Sequence, residues 1–283
     1  MKLSQILSFS ALGCLFAVSA SAQMIDVDFS DFSDTSDLQI NGDAAAQNTS
    51  DGDIIRLTPA TGSKGGSFFS LTQINAAEFS TKFQFRITGA GGISDGSQTG
   101  ADGLAFVVQN VANNVGGIGG GIGYANLPNS VAVEFDTFNN GGGDGNSTNH
   151  LGVGIDGVVN TSPDVVDVPT RFDDGNIWTA WVDYDGATLE VRANQSGVRS
   201  DPNTALLSKS IIIPFYLGQS DAFIGFTAAT GSAYGNHDIL NWQYSSQFVD
   251  GGIDEIPEPG TIGLLSLAGL GAFLLYRKRR KTA

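Results

Sequence analysis

Residues Val131 to Phe138 alternate strictly. Val131, Val133, Phe135 and Thr137 share one face, and Ala132, Glu134, Asp136 and Phe138 share the other. This is the period of two of a β-strand. Comparable runs rich in Val, Ile, Phe, Thr and Tyr occur at 79–87, 103–109, 130–138, 152–155, 177–184, 188–193, 211–215, 222–228 and 239–245, and Gly, Asn, Asp and Ser separate them. Each is predicted to be a strand. Between residues 23 and 250 there is no long helical period, no internal repeat and no linker that would divide the chain. Many short strands without helices predict one all-β domain, a sandwich or a barrel. The order of strands within the sheets is not contained in this pattern.

The two ends follow different rules. Lys2, the apolar run from Ile6 to Val18 and the small residues Ala20-Ser21-Ala22 have the order of a secretory signal peptide, residues 1–22, cut after Ala22. An uncleaved signal anchor is the alternative. The single cysteine, Cys14, lies inside this segment, so the exported domain at 23–250 has no disulfide. At the other end a linker at 251–260 carries Pro257-Glu258-Pro259. An apolar stretch from Ile262 to Tyr276 and the basic run Arg277 to Lys281 follow within 261–283. The apolar stretch is shorter than an ordinary spanning helix of about 20 residues, and the basic run belongs on the cytoplasmic side. The Pro-Glu-Pro motif, apolar helix and basic tail, in this order, resemble the PEP-CTERM sorting signal of Gram-negative bacteria. That resemblance implies an exosortase as processing partner and transient anchoring in the inner membrane through the C-terminal transmembrane helix. It also implies a final location at the cell surface or in an extracellular matrix rich in polysaccharide. A plain C-terminal anchor is the alternative.

Charge narrows the choice of partners. Residues 1–22 and 256–283 hold six of the 14 Lys and Arg residues and one of the 29 acids. That leaves 8 basic residues against 28 acidic ones, a net charge of −20. Such a surface repels nucleic acid and anionic lipid and attracts cations. Glu134 and Asp136 sharpen the point, because two carboxylates on one strand face repel unless a cation or a task holds them there.

Several segments, in order, resemble the L-type (legume) lectins: LQINGDA from Leu38, ADGLAFVVQ from Ala101, VAVEFDTFNN from Val131, HLGVGID from His150, WVDYDGATLEV from Trp181 and GFTAATGSAYGNHDILNW from Gly225. The similarity spans about residues 25 to 247. It implies a concanavalin A-like antiparallel β-sandwich, a jelly roll of two large sheets, and a paired metal site. Glu134, Asp136, Asp144 and His150 supply mixed oxygen and nitrogen donors, which suit manganese or a similar transition ion. Asp136, the carbonyl of Phe138, Asn140 and Asp144 supply oxygen alone, which suits calcium. Asp136 and Asp144 bridge the two. One departure concerns the loop, which has six positions from Asp144 to His150 where the family commonly has five. Asn146 is therefore the alternative to Asp144.

The resemblance also implies a calcium-dependent sugar site. Asp102 accepts hydroxyl hydrogen bonds after a cis peptide at Ala101-Asp102. Asn140 donates its amide, Gly121 offers a backbone N–H, and Phe138 offers a ring face. Ser232 and Ala233 fall where monosaccharide choice is set, and Ala233 stands where relatives often carry a polar side chain. Two other readings use the same scaffold. Laminarinase-like glycoside hydrolases carry Glu-x-Asp-x-x-Glu on one strand. Glu134-Phe135-Asp136 begins that pattern, but Asn139 occupies its last position, and retaining hydrolysis needs a second carboxyl group. No other catalytic constellation occurs, and the chain is expected not to be an enzyme. A structural matrix protein with the lectin fold but without sugar binding is the third reading.

Overall fold

The computed structural model describes residues 24–253 apart from 97, 160–163 and 200–203. Two antiparallel sheets pack face to face. From edge to edge, one runs Leu207–Ser210, Thr188–Asn194, Ile177–Tyr184, Phe79–Gly92, Ala233–Ser245, Gly52–Thr58 and Ala45–Thr49, with Val27–Phe29 also on Ala233–Ser245. The other runs Val166–Asp167, His150–Ile155, Ser130–Asp136, Gly103–Gln109, Asp221–Ala229, Gly65–Ser70 and Leu38–Gly42, with Ile74–Asn75 on Asp221–Ala229. This is the expected all-β sandwich.

Aromatic rings fill the space between the sheets. Phe83 meets Phe226 edge-on with ring centroids 4.8 Å apart, and Phe226 meets Trp242 at 5.3 Å. Phe135, Phe85 and Phe172 extend the same core. Alternation along Phe79–Gly92 sends Phe79, Phe83, Phe85 and Ile87 inward, as the period of two requires.

Ser130–Asp136 is buried on both faces. Val131, Val133 and Phe135 enter the main core. Ala132, on the opposite face, enters a second cluster with Ile122, Tyr124 and Leu127. The segment from Gly119 to Leu127 therefore lies over the face that carries Glu134 and Asp136, and so positions the site.

One strand expectation fails. The run at 211–215 is not a strand, because Ile213–Leu217 forms one α-helical turn. Pro214 fixes φ in the first turn, Gly218 closes the end at φ 74°, and Ile213 and Leu217 are buried on one side. A proline at the helix start and a left-handed glycine at its end override the strand preference of three isoleucines. Conversely, Gly52–Thr58, Gly65–Ser70 and Leu207–Ser210 are strands that the pattern did not reveal. Gly65–Ser70 opens like a loop because its glycines are packing devices. A Cβ on Gly66 would lie 2.0 Å from the carbonyl oxygen of Leu57.

Among the described residues no helix is long and apolar enough to cross a membrane. The expected signal peptide at 1–22, the Pro-Glu-Pro motif and the segment at 261–283 expected to form an apolar helix and basic tail lie outside the described residues.

Candidate metal and sugar site

The site is built on the ends of three adjacent strands. Across the antiparallel ladder Asp136 is paired with His150 on one side and with Gly103 on the other, and Glu134 is paired with Gly152. Asp102, one residue before Gly103, is held by two backbone bonds. Its N–H donates to the carbonyl of Ala229 at 3.0 Å, and its carbonyl accepts from the N–H of Thr137 at 3.1 Å. The Ala101–Asp102 peptide is cis.

Beyond Asp136 the chain folds back through a 3-10 turn at Gly142–Asp144. The N–H of Phe138 donates to Asp136 Oδ1 at 2.7 Å, and that of Asn140 donates to Asp144 Oδ2 at 2.5 Å. Asn139 fastens the loop: its N–H donates to Asp95 Oδ2 at 3.0 Å and its side-chain amide to the carbonyl of Asn146 at 3.0 Å. Gly145 and Asn146 both take left-handed conformations, at φ 62° and 60°. The two residues make a tight reversal between Asp144 and His150. Asp144 is buried inside it and Asn146 is exposed, so Asp144 is the residue that joins the cluster.

Asp136, Asp144 and His150 each offer a donor atom, and these atoms lie within 4.8 Å of one another. His150 Nε2 is 4.0 Å from Asp136 Oδ2. Glu134 stands one pleat further along the same face, wholly buried, and accepts a hydrogen bond from the hydroxyl of Tyr124 at Oε1. Burial and then the neighbouring Glu134 push the Asp136 carboxyl well above its usual range. Burial also raises Asp144, against the hydrogen bonds from Asn140. Burial holds the His150 imidazole down at about 4, although Asp167 opposes the shift. Asp102 is pushed up to about 7, first by burial and then by the charge of Asp144.

The residues expected to form the sugar site lie beside this cluster. Asp102 Oδ2 is buried without a hydrogen-bond partner, and a Cβ on Gly231 would lie 3.5 Å from it. The N–H of Gly119 donates to the carbonyl of Thr230 at 3.0 Å, tying the Gly119–Gly121 turn to the loop before Ser232. A Cβ on Gly120 would lie 3.0 Å from the side-chain amide of Asn140, whereas one on Gly121 would meet Ala125. The glycine bordering Asn140 is thus Gly120, and Gly121 sits one step further along the turn. Asn140 and Ser232 are exposed, Phe138 is half-buried, and Ala233 is buried at the head of its strand opposite Gly92.

The legume lectin domain profile matches residues 25–259, and the PEP-CTERM protein-sorting motif matches residues 255–281. The chain belongs to the legume lectin family. It is 30% identical over 266 residues to the L-type lectin-domain containing receptor kinase VIII.1 of Arabidopsis thaliana, covering 87% of this chain and 35% of the kinase. It is 28% identical to the lectin alpha chain of Lablab purpureus, covering 82% of this chain and 85% of that one. The chain therefore spans about a third of the length of the receptor kinases it matches. Among solved structures, the basic winged bean lectin with Tn-antigen superposes with a TM-score of 0.63 at 25% identity, covering 77% of this chain and 96% of that one. The profile that matches is that of a lectin domain, and the similar solved structures are lectins.

The legume lectin family implies calcium and manganese, and the residues present fit such ions. Both ring nitrogens of His150 are buried without a hydrogen-bond partner. Asp136 and Asp144 converge on the imidazole, buried acids whose repulsion a cation would relieve. Several contributors escaped the sequence reading: Gly120, Tyr124, Asp95 and Arg171. The Arg171 guanidinium donates to the carbonyls of Thr137 and Thr148 at 2.8 and 2.9 Å, bracing the end of the acidic strand against the loop that leads to His150. None of these residues sits in a local pattern that marks its role. Gly120 and Tyr124 lie in the glycine-rich stretch IGGGIGYAN, which marks a turn but not what either residue touches.

Proposed function

We propose that this protein is a calcium-dependent carbohydrate-binding protein, sorted to the surface of a Gram-negative bacterium and engaged with extracellular polysaccharide. The observation that carries the reading is the juxtaposition of Asp102, with its buried unpartnered Oδ2, and the Asn140 loop, whose backbone is held by Asp144. Asp136, Asn140, Asp144 and the carbonyl of Phe138 would hold calcium. Glu134, Asp136, Asp144 and His150 would hold manganese or a similar ion. The ions supply charge that fixes the loop and cancels repulsion among the acids. The protein's own groups then bind the sugar. Asp102 accepts from hydroxyls, the Asn140 amide and a backbone N–H of the Gly119–Gly121 turn donate, and Phe138 covers an apolar ring face. Ser232 is the exposed group positioned to select the monosaccharide, and Ala233 leaves that choice to its neighbours.

The domain layout follows the same reading. A signal peptide occupies 1–22 and the lectin domain 23–250. The linker at 251–260 and the helix and tail at 261–283 serve an exosortase and touch the membrane only before processing. Nucleic acid is not a partner, given the acidic surface. The burial of Ala233 also fits a second reading, a matrix protein that keeps the fold without binding sugar. A glycan array with the purified protein, in calcium and in chelator, separates the two. Calcium-dependent binding of a defined glycan supports the lectin reading, and an empty array in both conditions supports the matrix reading.

A further inference from the structure

The hydroxyl of Tyr124 occupies a closed niche against the acidic strand. Tyr124 is fully buried in the second apolar cluster. Its hydroxyl donates to Glu134 Oε1 and lies 3.3 Å from the carbonyl oxygen of Val158. Gly154 faces it, and a Cβ there would come within 2.0 Å of the hydroxyl oxygen. The absence of a side chain at 154 is what admits a phenol at this depth. The same residue also belongs to the sugar-site turn. The N–H of Tyr124 donates to the carbonyl of Gly121 at 3.0 Å, and Gly120 of that turn borders Asn140. One residue thus links the turn, through its backbone N–H, to the buried carboxylate of Glu134, through its hydroxyl.

A carboxylate ligand is oriented by the hydrogen bonds it accepts from groups that do not touch the metal. We infer that Tyr124 is a positioning residue that aims Glu134 at the transition ion and couples that ion to the Gly119–Gly121 turn of the sugar site. This rests on the metal reading given above. Phenylalanine at 124 keeps the ring and its packing but leaves Glu134 without this donor.

The test is calorimetric titration of purified wild type and Tyr124→Phe with manganese alone and with calcium alone. The expected result is manganese affinity weaker by about 10–100-fold in the variant, with calcium affinity changed by less than about threefold, because Glu134 serves only the transition ion. Unchanged manganese affinity, or equal weakening of both ions, overturns the inference, since a space-filling role predicts one or the other. If wild type binds neither ion, the metal reading itself has failed. Should Tyr124→Phe not fold, 3-fluorotyrosine placed at 124 in the otherwise native protein decides. Its fluorine resonance must shift when diamagnetic zinc is titrated in, and a fixed resonance overturns the inference.

Discussion

His150 stands directly opposite Asp136 in the antiparallel ladder, with Nε2 4.0 Å from Oδ2 and neither ring nitrogen hydrogen-bonded. A buried imidazole without partners beside a buried carboxylate costs stability unless something lies between them. Calcium, with manganese present, is therefore expected to raise the melting temperature by binding the folded state alone. Asp136→Ala should abolish that rise, since Asp136 is the proposed ligand of both ions. Melting curves that coincide in excess metal and in chelator would sink the metal reading.

Asp102 and Asn140 are the pair whose variants distinguish metal binding from sugar binding. Asp102 is held by Ala229 and Thr137 through its backbone, so its carboxylate is not needed to shape the loop. Hydrogen bonds to a charged acceptor contribute about 1.5–3 kcal/mol each, and 1.4 kcal/mol is about one decade of affinity. Asp102→Ala is expected to lose one or more decades of glycan affinity while keeping most of the metal-induced stabilisation. Asn140→Ala should damage both. Calorimetry on each variant, with metal first and then with the glycan chosen by array, distinguishes them. Wild-type glycan affinity in Asp102→Ala would place the sugar elsewhere.

Metal binding should release protons and strengthen with pH. In the metal-free protein burial raises Asp136 and Asp144 and pushes Asp102 up to about 7. A carboxyl raised on folding holds its proton better folded than unfolded, so its contribution to stability falls as pH rises from about 3.8 to its folded value. For Asp102 that window closes near 7. His150, lowered to about 4, acts oppositely, and its contribution rises between about 4 and 6.5. An ion needs carboxylates charged and imidazole neutral. The melting-temperature increment produced by metal over chelator should therefore grow between pH 5 and pH 7.5. An increment that is flat or shrinks over that range contradicts the ligand assignment.

Glu134 is sealed beneath Tyr124 and fully buried, and Asn139 spends both ends of its side chain on the loop. A glycosidic bond has no route to Glu134. Assays on laminarin-type and other β-glucans are expected to give no turnover above a Glu134→Ala control, and hydrolysis lost in that variant would overturn this.

Much of the site was legible because its ligands are local. Asp136, Asn140, Asp144 and His150 fall within 15 residues of chain, and alternation alone puts Glu134 and Asp136 on one face. The fold family was legible through the resemblance of the Ala-Asp-Gly and Val-Glu-Phe-Asp segments to L-type lectins, and the period of two marks both segments as strands.

The sequence by itself determined the all-β class, the acidic face of Ser130–Asp136 and the identity of its neighbours in the loop, and its resemblance to L-type lectins implied the sandwich. Tertiary structure decided what those residues meet. Strand order brings Gly103 and His150 to either side of Asp136 from separate parts of the chain, and no local period encodes that pairing. Packing across long separations put Tyr124 against Glu134 in a niche opened by Gly154, set Gly120 rather than Gly121 beside Asn140, and buried Ala233. At Ile213–Leu217 one proline and one left-handed glycine turned a strand-like run into a helical turn. Periodicity reports which way a side chain faces, whereas sheet register and loop closure, both set by distant segments, decide which atom it touches.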